Sequence, residues 1–186
     1  MRQALSRSWE CPPWRLVLVP GRSPSPSASW GGGVAPDGLQ PLTTHWAVGN
    51  ANELGKYACE GTFDVDSLDF HPDTMTFTGT FGSHDPCVFT AANGDELVCY
   101  YGRTDKGADE VGTFQLTIVG TTSDGSPIVE AEFIAQFVPQ PDQSTGRFAG
   151  ATGGWIMYAY TDPFVLGSSA PVNYWWSGQG SLTFPR

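Results

Sequence analysis

The chain has 186 residues, enough for one domain to bury a core without disulfides or a structural metal. Charged residues make up 15%, against 23 glycines, 15 prolines and 13% aromatics, which suits short strands joined by tight turns; no apolar stretch is long enough to cross a membrane as a helix. The formal net charge is −10 and uneven: residues 1–30 carry four arginines against one glutamate, the rest five basic against eighteen acidic residues, and such an acidic body repels phosphate backbones and argues against nucleic-acid binding.

Residues 1–30 run through Arg, Pro, Ser and Trp, with Pro12-Pro13 and a Ser/Pro stretch over Ser23–Ser29. Leu16–Val19 is a very short apolar run bracketed by Pro12, Pro13 and Pro20, which makes a cleaved export signal, with Arg2 and Arg7 as its basic region, the lesser alternative. Residues 1–42 therefore read as a disordered or atypical leader, and 43–186 as the folded domain.

Strand patterns begin near Thr43. Thr44–Asn50 is the first candidate. Lys56–Asp66 alternates, with Tyr57, Cys59, Gly61, Phe63 and Val65 on one face and Ala58, Glu60, Thr62, Asp64 and Asp66 on the other. Thr74–Gly82 sets Met75, Phe77, Gly79 and Phe81 against four threonines. Such period-two alternation marks a half-buried antiparallel strand. Cys87–Ala91 and Asp95–Tyr101 flank Ala92-Asn93-Gly94, a hairpin signal. A three-residue turn with left-handed Gly94 pairs Phe89 with Leu97 and gathers Cys87, Phe89, Leu97 and Cys99 on one face. A two-residue turn would split them, so the first register is expected.

Gly112–Val119 aligns Phe114, Leu116 and Ile118. Ile128–Val138 aligns Val129, Ala131, Phe133, Ala135 and Phe137 against Glu130, Glu132 and Gln136. Gly154–Tyr160 and Asn173–Phe184 follow, the last with Tyr174, Trp176, Gly178, Gly180, Leu182 and Phe184 on one face. No segment has a helical period. The expected fold is all-β: a single closed antiparallel up-and-down barrel of roughly eight strands, since closure removes the exposed edges.

Ser144-Thr145-Gly146-Arg147-Phe148-Ala149-Gly150-Ala151-Thr152-Gly153 is the most distinctive segment. It resembles the Gly-x-Gly-x-Phe-x-Gly-Ala-x-Gly element of the allene oxide cyclase and dirigent barrel superfamily. It is more similar still to a group of uncharacterised bacterial β-rich proteins, in which that element accompanies two further motifs. Here these read Ala91-Ala92-Asn93-Gly94-Asp95 and Gly49-Asn50-Ala51-Asn52-Glu53-Leu54-Gly55-Lys56-Tyr57. The resemblance spans about residues 49–153. It implies a barrel, a cyclase-like or ligand-steering interior, and a dimer or trimer. The motif is structural in kind: Gly146, Gly150 and Gly153 permit unusual backbone angles and Phe148 anchors in the core.

Chemistry is less legible. His84 with Cys59, Cys87 and Cys99 could form a metal set, but the spacing is that of no zinc site. Core thiols are the first expectation and a Cys87–Cys99 disulfide the second, so no metal is assigned. Asp64, Asp66 and Asp69 lack the glycine and distal glutamate of a calcium loop. His45, His71 and His84 are available to a triad, but no Gly-x-Ser-x-Gly elbow marks a nucleophile. Glu130 and Glu132 are the weak catalytic candidates, able to do acid–base work if turned inward. Tyr57, Phe77, Phe114, Phe133, Trp155 and Trp176 are the expected ligand-facing residues. The leading expectation is a non-catalytic barrel, without cofactor, holding a small apolar or aromatic molecule. A cofactor-free cyclase or isomerase is the alternative, and an extracellular interaction or carbohydrate-binding module the third. An extracytoplasmic location is slightly favoured.

Overall fold

The computed structural model describes residues 42–185, together with the backbone alone of Trp14–Val19 and Ala28–Ser29. Apart from those two segments, the leader expected over 1–42 lies outside the described residues. Among the described residues there is no α-helix, and no helix long and apolar enough to cross a membrane.

All strands belong to one antiparallel sheet. In chain order they are β1 (Trp14–Val19), β2 (Ala28–Ser29), β3 (Thr43–Ala51), β4 (Gly55–His71), β5 (Thr76–Ser83), β6 (Cys87–Ala91), β7 (Glu96–Tyr101), β8 (Gly112–Thr121), β9 (Pro127–Pro139), β10 (Thr152–Thr161), β11 (Phe164–Val165), β12 (Pro171–Val172) and β13 (Tyr174–Thr183). The thirteen segments exceed the roughly eight strands expected because β1, β2, β11 and β12 join the nine segments read from the sequence. β5 and β6 run end to end along β4, interrupted at 84–86, where Pro86 supplies no N–H. β7 and β8 run end to end along β9, interrupted by the 102–111 excursion. β10 pairs with β9 and β13. β1 pairs with both β13 and β3, and β3 pairs with β4.

The alternation read from the sequence sets the faces. Along β4, Tyr57, Cys59, Gly61 and Phe63 are buried while Lys56, Ala58 and Glu60 are exposed. β4 continues five residues past Asp66 because a bulge between Val65 and Ser67 resets the parity. Leu68 then rejoins the inward face and packs on the core. Arg103 closes over the bulge. Its Nη1 donates to Asp66 Oδ2 at 2.6 Å, and Nε and Nη2 donate to the carbonyls of Ser83 and Gly82 at 3.1 Å each.

The β6–β7 hairpin has the expected register: Phe89 faces Leu97 and Cys87 faces Cys99. The turn closes with Ala91 N–H donating to Asp95 O at 2.9 Å, and Gly94 has φ +87°. In the 144–153 segment Gly146, Gly150 and Gly153 all have positive φ, and Phe148 is buried. The segment forms the long connection between the antiparallel neighbours β9 and β10, with a 3-10 turn over Gly146–Phe148 and Asp95 accepting the Arg147 N–H at 3.2 Å.

Nothing lies within 4 Å of a Cβ built on Gly94, so its role is conformational alone. Gly94→Ala is expected to lower stability by about 1 kcal/mol, and Gly94→Asn by clearly less. Urea denaturation of the two variants beside the wild type checks this.

Candidate functional site

The inward faces converge on a partly enclosed cavity of about 60 Å³. A water needs roughly 10–15 Å³ of such space, so the cavity holds a handful of heavy atoms. β4, β5, β6, β9, β10 and β13 supply Phe63, Phe81, Phe89, Phe133, Phe137, Met157 and Trp176 to its wall. Polarity is confined to a few groups: the thiols of Cys59 and Cys87, Thr161, and a corner formed by His45, Tyr101 and Tyr174.

His45 sits on the inward parity of β3 with Thr43, Ala47, Gly49 and Ala51. It faces Gly61 across the β3–β4 pair. A Cβ at Gly61 would stand 2.7 Å from His45 Nε2, so this glycine makes room for the ring. Nε2 lies 2.8 Å from Tyr101 Oη and Nδ1 lies 3.4 Å from Tyr174 Oη. The phenols in turn reach backbone: Tyr101 Oη is 3.2 Å from Thr62 O, and Tyr174 Oη is 2.9 Å from Trp46 O.

Burial sets the protonation states. It pulls His45 down to about 4, so the imidazole is neutral at pH 7. It pushes the Tyr101 and Tyr174 phenols well up, and Tyr57 likewise. It also raises Cys99, and Cys87, whose thiol is hydrogen-bonded to that of Cys59. A buried cluster of strongly shifted groups on a cavity wall marks this corner as the functional candidate.

Of the ligand-facing residues expected from sequence, Phe133 and Trp176 line the cavity. Tyr57, Phe114 and Trp155 are buried in the surrounding core, and Phe77 is half-buried, 4.7 Å from Phe70. Trp155 Nε1 has no hydrogen-bond partner, and its ring instead stacks on Phe137 at 5.1 Å.

The Glu130 and Glu132 expectation is corrected, and the disulfide, the second of the two cysteine readings, gives way to the first, core thiols. Glu130 and Glu132 are exposed on the outer face of β9, because their parity is opposite to that of Val129, Ala131 and Phe133; they cannot act inside. Cys87 and Cys99 are opposite each other but are free thiols. Counting two-residue steps from the Ala91–Asp95 bond makes theirs a hydrogen-bonded pair. There the Cα atoms stand about 5.5 Å apart and the side chains lie farther from each other than at the alternate pairs, whereas a disulfide needs its Cβ atoms within about 3.5–4.5 Å.

His84 is on the opposite side of the wall, bonded to Asp64 at 2.9 Å. Among the described residues no three His, Cys, Asp or Glu side chains converge to hold a metal. Asp64 and Asp66 face Arg103. Trp175 is 40% exposed and stacks on Tyr160 at 6.2 Å, while Trp155 and Trp176 point inward. The corner was missed in sequence because His45 and Tyr101 are 56 residues apart, and His45 and Tyr174 are 129. A usable signal was present in the small residues that share His45's parity.

Comparison with protein-family models, with curated proteins and with solved structures returns no match for this chain.

His45 makes stability depend on pH. The unfolded imidazole protonates near 6.5 and the folded one near 4, so the unfolded chain binds the extra proton in that window. Its contribution is complete above pH 6.5 and falls by about 3 kcal/mol on acidification to pH 4. His84 acts in the opposite sense: its hydrogen bond to Asp64 raises its pKa, so its contribution is present at low pH and lost as pH rises through the folded value. Denaturation of wild type and His45→Gln from pH 7.5 to 4 should show the variant losing less stability with acid. Parallel profiles would mean His45 is not held neutral.

Proposed function

We propose that the chain is a closed β-barrel of the allene oxide cyclase and dirigent kind that binds a small apolar or aromatic molecule inside and does no chemistry on it. Support for closure comes from the pairings that lead from β3 through β4, β6, β7, β9, β10 and β13 to β1 and back to β3. Support for the resemblance comes from the positive-φ glycines and buried Phe148 of the 144–153 segment. The observation that carries the binding reading is the cavity itself, walled by aromatic rings and reached by one neutral polar corner. The carboxylates that motivated a cyclase face solvent.

A second reading, an interaction or carbohydrate-binding module, is favoured by one observation. Trp175 and Tyr160 stack with their planes nearly parallel, 22° apart, on the outer face, with Tyr158 exposed beside them.

Ala159 is buried on the cavity wall. Titration with toluene, followed at the Met157 methyl, should give a saturable shift in the wild type. Ala159→Leu fills the space and should abolish that shift while keeping a cooperative thermal transition. A wild type without a saturable shift contradicts the internal-ligand reading. Loss of sugar-polymer retention in Trp175→Ala, with toluene binding intact, would establish the second.

A further inference from the structure

The hydrogen bonds of the polar corner can be arranged in two ways. In one, Tyr101 O–H donates to His45 Nε2, His45 Nδ1–H donates to Tyr174 Oη, and Tyr174 O–H donates to Trp46 O. In the other, Nε2–H donates to Tyr101 Oη, Tyr101 O–H turns to Thr62 O, and Tyr174 O–H keeps Trp46 O. A neutral imidazole carries one N–H, so it fits either arrangement. Thr62 O already accepts the His84 N–H at 2.9 Å. Tyr101 O–H can therefore leave it without stranding a buried carbonyl.

That freedom has a consequence for an occupant. In the second arrangement Tyr101 O–H is available to a ligand carbonyl. In the first, Tyr101 Oη keeps a lone pair for a ligand hydroxyl. No lysine, arginine, aspartate or glutamate lines the cavity, so a charged ligand would enter without a counter-ion.

Resting on the reading of the interior as a ligand cavity, we propose that its occupant is an uncharged molecule whose single carbonyl or hydroxyl oxygen bonds Tyr101, with His45 changing tautomer to suit it. Tyr101 is the specificity-determining residue, and His45 is a positioning residue that acts through it. The rest of the ligand is apolar and contacts the Phe133, Met157 and Trp176 wall.

The test uses four probes of similar size: methylcyclopentane, cyclopentanone, cyclopentanol and cyclobutanecarboxylate. Each is titrated into wild type and Tyr101→Phe, with binding read at the Met157 methyl and Trp176 indole resonances. Tyr101→Phe should weaken the ketone and the alcohol at least roughly fivefold, the worth of one net hydrogen bond, and leave the hydrocarbon unchanged. The carboxylate should not bind. In the wild type, saturating cyclopentanone should fix His45 as the Nε2–H tautomer, read from its ring nitrogen shifts without any variant. Equal ketone affinity in wild type and Tyr101→Phe, or binding of the carboxylate, would overturn this assignment while leaving the cavity as a binding site. Failure of all four probes would overturn the cavity reading beneath it.

Discussion

Phe137 stands where five strands meet. Its ring stacks on Tyr101 at 4.5 Å, on Trp155 at 5.1 Å and on Trp176 at 6.0 Å, and Phe89 meets it edge-on at 5.9 Å. These rings come from β6, β7, β9, β10 and β13, so one side chain ties together most of the sheet around the interior. Aromatic pairs add about 0.5–1.5 kcal/mol each beyond the area they bury. More important here is direction. The Phe137 stack fixes the plane of Tyr101, and that plane sends the phenol oxygen to His45.

The same packing desolvates the polar corner, and that decides the electrostatics. Inside, the part-buried imidazole and phenols have no charged side chain beside them on the cavity wall, so they stay neutral. Formal charge is moved to the outside of the wall. There Arg103 pairs with Asp64 and Asp66, and His84 with Asp64. These pairs are partly exposed and add little to stability on their own. Arg103 matters through its bonds to the Ser83 and Gly82 carbonyls, which hold the 102–111 excursion against the β4 bulge.

Much of this was legible in the sequence because the β period is short-range. Tyr57, Cys59 and Phe63 declare the inner face of β4 within seven residues, and the Asn93-Gly94 turn fixes the Phe89–Leu97 register. The readable signal fails where parity is reset. The bulge after Val65 returns Leu68 to the inside, and no local rule foretells it. The strand number differs for another reason: β11 and β12 are two residues each, too short for a period to show, and β1 and β2 lie in the Pro- and Ser-rich stretch that carries no strand pattern. The candidate site was the least legible part. Alternation says that His45 points inward, but only the order of strands around the interior brings it to Tyr101 and Tyr174. Tyr57, Phe114, Phe133 and Trp155 are buried in the core, and Phe77 and Trp176 pack against it. Which of them border empty space, as Phe133 and Trp176 do, depends on how the rings interlock.

The central claim is that these rings leave a dry apolar cavity with one neutral polar corner. A crystal structure of the protein under xenon pressure tests it most directly. The account predicts a xenon atom against Phe133, Met157 and Trp176, with the His45–Tyr101 contact unchanged beside it. A cavity filled by ordered waters, or side chains closed over it with no xenon bound, would contradict the account.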